Sequence, residues 1–373
     1  MSSIRLNENY NKINESELYI KYKSSYVLAV RDFSLHCCYV LFSFFLLWHY
    51  KNSYFNIVTI PVFALLNIKT FIIFHDCCHN SYTPNKTLNL IISHITGTLT
   101  LTTPNWILDH HIHHLTNGNT ENKYNFKFNE LVNVTKKQYH RFSTLNKYIY
   151  CFIHHPVIFF TIIPFFYFFL LQRGMYLFKK IKYNNKISKP FNLIFMNDFV
   201  NNAALAILYY NIITYYQCFN VLLLAQYLST VGGFFLFFNQ HTFNTPYVVN
   251  NDTWNIKDSG LSGSSFIKIP QYLKYFTGGI EYHHIHHINA KIPGYNIQKY
   301  HEEVISKSNI FDSIVTLTPL ECYNNMFLML YDEKENKYVT NLEVDKNIYR
   351  HINYGLSGIF ICFSIHFLIS YFI

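Results

Sequence analysis

Seven apolar runs, set between polar stretches, lay out the plan of this 373-residue chain. Leu35 to Tyr50 and Tyr54 to Phe74 are parted by a few polar residues that include Lys51 and Asn52; Asn197 to Tyr216 and Phe219 to Phe238 are parted near Gln217. A helix that crosses a bilayer needs roughly 20 apolar residues. Each pair therefore predicts a hairpin of two membrane-crossing helices. Leu88 to Pro104 ends in threonines, and Ile153 to Leu171 carries His154-His155-Pro156 and Pro164. Proline breaks a straight helix, and both runs are predicted to lie at the membrane interface. The last run, Gly355 to Ile373, follows Arg350 and His351 and predicts a C-terminal anchor. The implied organisation is a polar segment over 1–34, one domain over 35–345, and the anchor over 355–373.

Composition agrees with this pattern. Half of the residues are apolar, 36 are Phe and 32 are Tyr, while 14% are charged. The fold class expected is an all-α integral membrane protein: two helical hairpins, a helical cap on the cytosolic side, and the extra C-terminal helix. Arg173, Lys179, Lys180, Lys182, Lys186 and Lys189 directly follow the run Ile153 to Leu171 and mark that end as cytosolic. A net charge of +9 raises the question of nucleic acid, but these basic residues stand beside apolar runs, where they suit anionic lipid headgroups. No nucleic-acid partner is expected. Four of the eight cysteines form the adjacent doublets Cys37-Cys38 and Cys77-Cys78, which predict reduced thiols and no zinc ribbon. The first 30 residues show no short apolar core before a cleavage site, so no signal peptide is expected.

The chemistry lies in the histidines, of which half of the 20 fall in three short stretches. In Glu281-Tyr282-His283-His284-Ile285-His286-His287, a helix would place His283, His286 and His287 on one face and turn His284 about 100° away. Asp109-His110-His111-Ile112-His113-His114 repeats the spacing, and His75 and His79 stand at i and i+4. Charged, such a set would repel itself; neutral and buried, it would need many partners. Bound metal removes both problems. Imidazole alone does not choose among zinc, copper, iron and nickel. Eight ligands do exceed one tetrahedral zinc, and they fit two metals that each keep an open position.

With these motifs in order, the chain resembles the membrane fatty acid desaturases, most of all the acyl-lipid delta-12 (omega-6) branch, from about Phe71 to Asp332. The carriers are HDCCHNSY from His75, GTLTLTTPNWILDHHIHHLTNG from Gly97, NQHTF from Asn239, GSSFIKIP from Gly263, and FTGGIEYHHIHHINAKIPGYNIQKYHEE from Phe276. The resemblance implies iron ligands at His75, His79, His110, His113, His114, His283, His286 and His287, with His241 as a ninth. It also implies two non-haem irons, dioxygen, and a cis double bond placed in an acyl-lipid or acyl-CoA chain. Asp76, Asp109 and Glu281 are candidate acceptors for the remaining ring N–H groups. Cys78, Asn244, Gly279 and Glu281 depart from the branch pattern, which puts the surroundings of the ligands in question more than the ligands.

No His-Pro-Gly-Gly haem motif occurs, so electrons are expected from a separate carrier, cytochrome b5 or ferredoxin with its reductase. In a eukaryotic host the expected location is the endoplasmic reticulum membrane, with the active site facing the cytosol. Related hydroxylases, ketolases and sphingolipid-modifying oxygenases use similar boxes, and a metal-binding membrane protein without catalysis is the remaining alternative.

Overall fold

The computed structural model describes residues 15–119, 134–182 and 189–358. These are mostly helical. A short helix α1 (Glu15–Tyr22) precedes two long ones, α2 (Tyr26–His49) and α3 (Asn56–Cys78), each long and apolar enough to cross a membrane. The first expectation needs correction here: α2 begins at Tyr26 and not at Leu35, so the segment read as polar over 1–34 is helical over Glu15–Tyr22 and again from Tyr26. The reason is a part-buried ion pair. Asp32 on α2 meets Lys69 on α3 at 2.7 Å and accepts the Tyr82 hydroxyl at 2.9 Å, so the carboxylate that interrupts the apolar pattern is satisfied.

Helix α3 runs past Phe74 for one more turn, which carries His75 to its end. Next comes α4 (Lys86–Leu99), whose first turn is capped by the Asn85 side chain accepting from the Leu88 amide. At 14 residues it is too short to cross. The threonines that follow donate back to carbonyls one turn earlier, Thr96 to Ile92 and Thr100 to Thr96, so this polar end stays satisfied while buried. A 3-10 turn at Pro104–Trp106 then leads into α5 (Ile107–Thr116). Thr103 and Asn105 both donate to Asp198 Oδ1 at 2.8 Å, which fastens the start of α5 to a later helix.

Helix α6 (Thr144–Ile153) is followed by α7 (Ile158–Ile181), which by length and composition also qualifies as a candidate span. It is irregular. Two π-helical turns flank Pro164, and Gly174 at φ +85° breaks the helix, so the regular part falls short of the roughly 20 residues a crossing needs. Descending, α7 packs Phe160 on Phe238 and then Phe165 on Tyr227. Beyond the break it returns, and Lys179 meets Asp109 beside the second box.

Helices α8 (Phe191–Asn211, extended by a π turn to Tyr216) and α9 (Phe219–His241) form the second hairpin. The chain reverses at Gln217 in the left-handed region, φ +52°, where the sequence places the turn. Asn67 donates to Ser229 at 2.9 Å and ties α3 to α9 across the core. Outward faces remain apolar, with Val27, Leu41, Phe42, Ile57 and Ile207 all exposed, as a lipid-facing surface requires.

The stretch after α9 forms the cap. It contains α10 (His283–Ile288), α11 (Gly294–Lys307) and two small sheets that periodicity did not reveal. Strand β1 (Phe266–Ile267) pairs in parallel with β2 (Thr316–Leu317), and β3 (Leu328–Asp332) pairs antiparallel with β4 (Lys337–Thr340). The anchor expected over 355–373 lies outside the described residues from 359 on.

Candidate metal centre

All three histidine stretches sit at helix ends on one side of the molecule. His75 stands in the last turn of α3 and His79 caps it; His110, His113 and His114 share the buried face of α5 while His111 is exposed. On α10, His283, His286 and His287 point inward. His284 turns away to His301, 3.3 Å from its Nδ1, as the helical spacing predicts. His241 is the final residue of α9.

The nine imidazoles meet in one place. His75, His79, His110 and His286 form one set of four, and His113, His241, His283 and His287 a second; within each set the potential ligand atoms lie within 4.8 Å of one another. In the first, His75 Nε2 is 3.1 Å from Nε2 of both His110 and His286. In the second, His241 Nε2 is 2.9 Å from His113 Nε2 and 2.8 Å from His283 Nε2. His114 lies between the sets. Its Nε2 is 3.1 Å from that of His110 and 2.9 Å from that of His286, and its ring stacks on His287 at 4.2 Å.

Burial, reinforced by the neighbouring imidazoles, holds His110, His113, His114, His283, His286 and His287 well below the usual histidine range. The rings are therefore neutral, and a neutral ring with its proton on Nδ1 aims an unshared pair from Nε2. His241 Nδ1 faces the Gly263 carbonyl at 3.0 Å and His75 Nδ1 faces Asp76 Oδ1 at 3.1 Å, which fixes that tautomer in both sets. His79 Nε2 is buried without a hydrogen-bond partner among the described residues. Converging lone pairs with no proton to share are a poor arrangement by themselves and a good one around a cation. Two imidazole-rich transition-metal sites fit this donor set.

The surroundings divide the sequence candidates. Asp76 faces a box histidine: its Oδ1 takes the His75 ring proton while its Oδ2 accepts the Gly294 amide at 2.7 Å, tying the first box to the IPGY segment. Asp109 does not face a histidine and instead forms a buried 2.6 Å pair with Lys179. Its carboxyl is pushed up by burial, against the pull of that ammonium. Glu281 accepts from the Thr277 hydroxyl at 2.6 Å; it too is pushed up by burial and serves the loop before the third box. Adjacency in sequence selected all three, and of the three only Asp76 meets a box histidine among the described contacts.

Other roles were not visible in the pattern. The Gly263 carbonyl that orients His241 comes from the GSSF segment, and Ser265 completes the junction by donating to the Asn239 carbonyl at 2.9 Å. Trp106 stacks on His110 at 4.2 Å. Gly279 has a steric reason to be glycine: at φ +89° a side chain is strained, and a Cβ would meet Ile297 at 2.5 Å. Asn244 accepts the Tyr338 amide at 3.2 Å. Cys78 packs beside Phe74, Trp106 and Ile194.

Below the histidines opens a cavity of about 710 Å³, touched at its head by His75, His110 and His283. Its walls come from Ile68 and Phe71 of α3, Phe234 and Phe238 of α9, and Phe159 and Phe168 of α7. Along α9 the lining runs from Gln240 back to Ser229, on the order of 16 Å at the helical rise per residue. A family model for fatty acid desaturases matches residues 52–309. A protein of Bacillus subtilis (strain 168) named fatty acid desaturase is 29% identical over 276 residues, covering 73% of each chain. The match takes in all three boxes, His241 and most of the walls described above, and the chain belongs to the fatty acid desaturase family.

Proposed function

We propose that this membrane protein introduces a cis double bond into a fatty acyl chain, at the delta-12 (omega-6) position, with two irons held by the histidines, dioxygen, and two electrons from cytochrome b5 or ferredoxin. One observation carries the reading: two sets of four imidazoles, all buried but the half-buried His79, stand at the head of a long apolar cavity. An unactivated methylene has no useful acidity, so side-chain acids and bases cannot remove its hydrogens, and the irons when bound would supply the oxidising power.

The chain's own residues do the rest. His75, His79, His110 and His286 would hold one iron and His113, His241, His283 and His287 the other, with His114 between. Asp76 and the Gly263 carbonyl keep Nδ1 protonated and Nε2 free to bind. The aromatic walls of α3, α7 and α9 exclude water from the reacting carbons and hold an acyl chain, from a lipid or from CoA, straight beside the centre. Basic residues on the histidine side would receive an acidic electron carrier. That side faces the cytosol, and the endoplasmic reticulum is the membrane in a eukaryotic host.

Fatty-acid profiling of a yeast that expresses the chain tests this. New cis dienoic acids are the expected result, and a His286→Ala control should lose both the product and bound iron. Hydroxy or keto acids in place of dienes would overturn the reading.

A further inference from the structure

One wall of the cavity comes from a part of the chain that follows the family match. Leu328 and Met329, in β3, line it together with Val134, Tyr150, His154 and Phe159. Every residue of β3 is buried, so the strand is part of the interior and not an edge ornament.

The ladder between β3 and β4 is irregular where it meets the cavity. Leu328 pairs with Thr340 and Leu330 with Val339, so two steps on β3 answer one step on β4 and Met329 is the extra residue. Such a bulge redirects a side chain out of the regular alternation. Met329 packs with Phe160 and Phe238 on the cavity side, while Leu330 packs behind it with Tyr139, Cys151 and Val339. The Tyr150 hydroxyl donates to the Met329 carbonyl at 2.5 Å and holds the bulge in place.

The hairpin is also fixed relative to the metal centre. Tyr338 of β4 donates its amide to Asn244, three positions after His241, and Tyr331 of β3 donates its amide to the Val134 carbonyl at 3.1 Å. Lys136 meets Asp332 at 2.7 Å and closes the same junction. The position of Met329 against Phe238, less than one turn before His241, is thereby determined from both sides.

We propose that the bulged hairpin wall at Leu328 and Met329 sets which acyl chains the centre accepts, with Met329 as a specificity-determining residue that contacts the chain beside the histidines. The inference rests on the acyl desaturase reading above. An unbranched thioether packed among Phe159, Phe160 and Phe238 fills its gap without fixing its shape, so changing its size changes the width offered to the substrate.

The test compares wild type, Met329→Ala and Met329→Phe, each purified with its iron content measured and supplied with a mixture of palmitoyl, stearoyl and oleoyl lipids. Met329→Phe should lower conversion of bent oleoyl chains relative to straight palmitoyl chains, and Met329→Ala should raise it, by roughly tenfold in the ratio, the scale on which a methylene is discriminated in an apolar pocket. A ratio unchanged in both iron-replete variants overturns the proposal. Loss of iron in both also overturns it, because the hairpin would then be supporting the centre and not gauging the substrate. A wild type that converts none of the three would fail the desaturase reading itself, a result distinct from either.

Discussion

At the scale of single residues, Asp76 has the most to do for its size. One carboxylate oxygen receives the His75 ring proton and the other receives the Gly294 amide, so it orders the His75 ring and locks the third box's following turn at once. Gly294 has no room for anything else there, since a Cβ would lie 2.1 Å from the Gly278 carbonyl oxygen. Asp76→Asn keeps the shape and removes the charge that makes His75 a strong donor. The expected outcome is a 10- to 100-fold loss in iron affinity or turnover with the double bond in the same position, read from metal content and product analysis of the purified variant. The spacing of the histidines was legible in the sequence because helical geometry is local. The fate of their carboxylate neighbours was not: Asp109 looks like Asp76 on paper, and its partner Lys179 is 70 residues away.

At the scale of elements, charge placement explains both what sequence patterning found and what it missed. The start of α2 was hidden because Asp32 breaks the apolar run, and Lys69 on the facing helix together with the Tyr82 hydroxyl makes it tolerable. Helix α1 shows a different case, a short element that buries Leu18 and Tyr22 in the apolar core and is also pinned by polar contacts at its C-terminal end. Glu303 on α11 receives Lys21 and Tyr22, each at 2.5 Å, together with Lys307. The hydrogen bonds from Lys21, Lys307 and Tyr22 hold the Glu303 carboxyl down at about 2, against an ordinary 4.5. A depressed carboxyl contributes stability that is fully present above its unfolded value and is lost as pH falls through the folded one. Docking of α1 should therefore weaken between about pH 4.5 and pH 2, and more readily at high salt because the Lys21 and Lys307 side chains are exposed. Hydrogen exchange of the Glu15–Tyr22 amides measures it; Glu303→Gln at neutral pH should reproduce the acid result, with the histidine centre still intact.

At the scale of the whole molecule, convergence of the histidines restricts how the chain can cross a membrane. His79 follows α3 and His241 ends α9, yet both contribute to one site, so the number of crossings between them must be even. Helices α8 and α9 make two. Helix α4 has 14 residues, too few to cross, and we propose that α7 makes no crossing either, despite its apolar length. Its break at Gly174 and the return of Lys179 to Asp109 give that conclusion a physical form: α7 enters beside Phe238 and comes back beside the second box. Single cysteines in a background without reactive thiols make the consequence measurable. Leu145→Cys before α7 and Ile181→Cys after it, both at exposed positions, should react with a membrane-impermeant reagent from the same side. Tyr54→Cys and Tyr215→Cys, exposed near the two hairpin turns, should react only from the other. If Leu145→Cys and Ile181→Cys label from opposite sides, α7 crosses, His241 is carried to the face opposite His75, and a shared pair of metals is impossible.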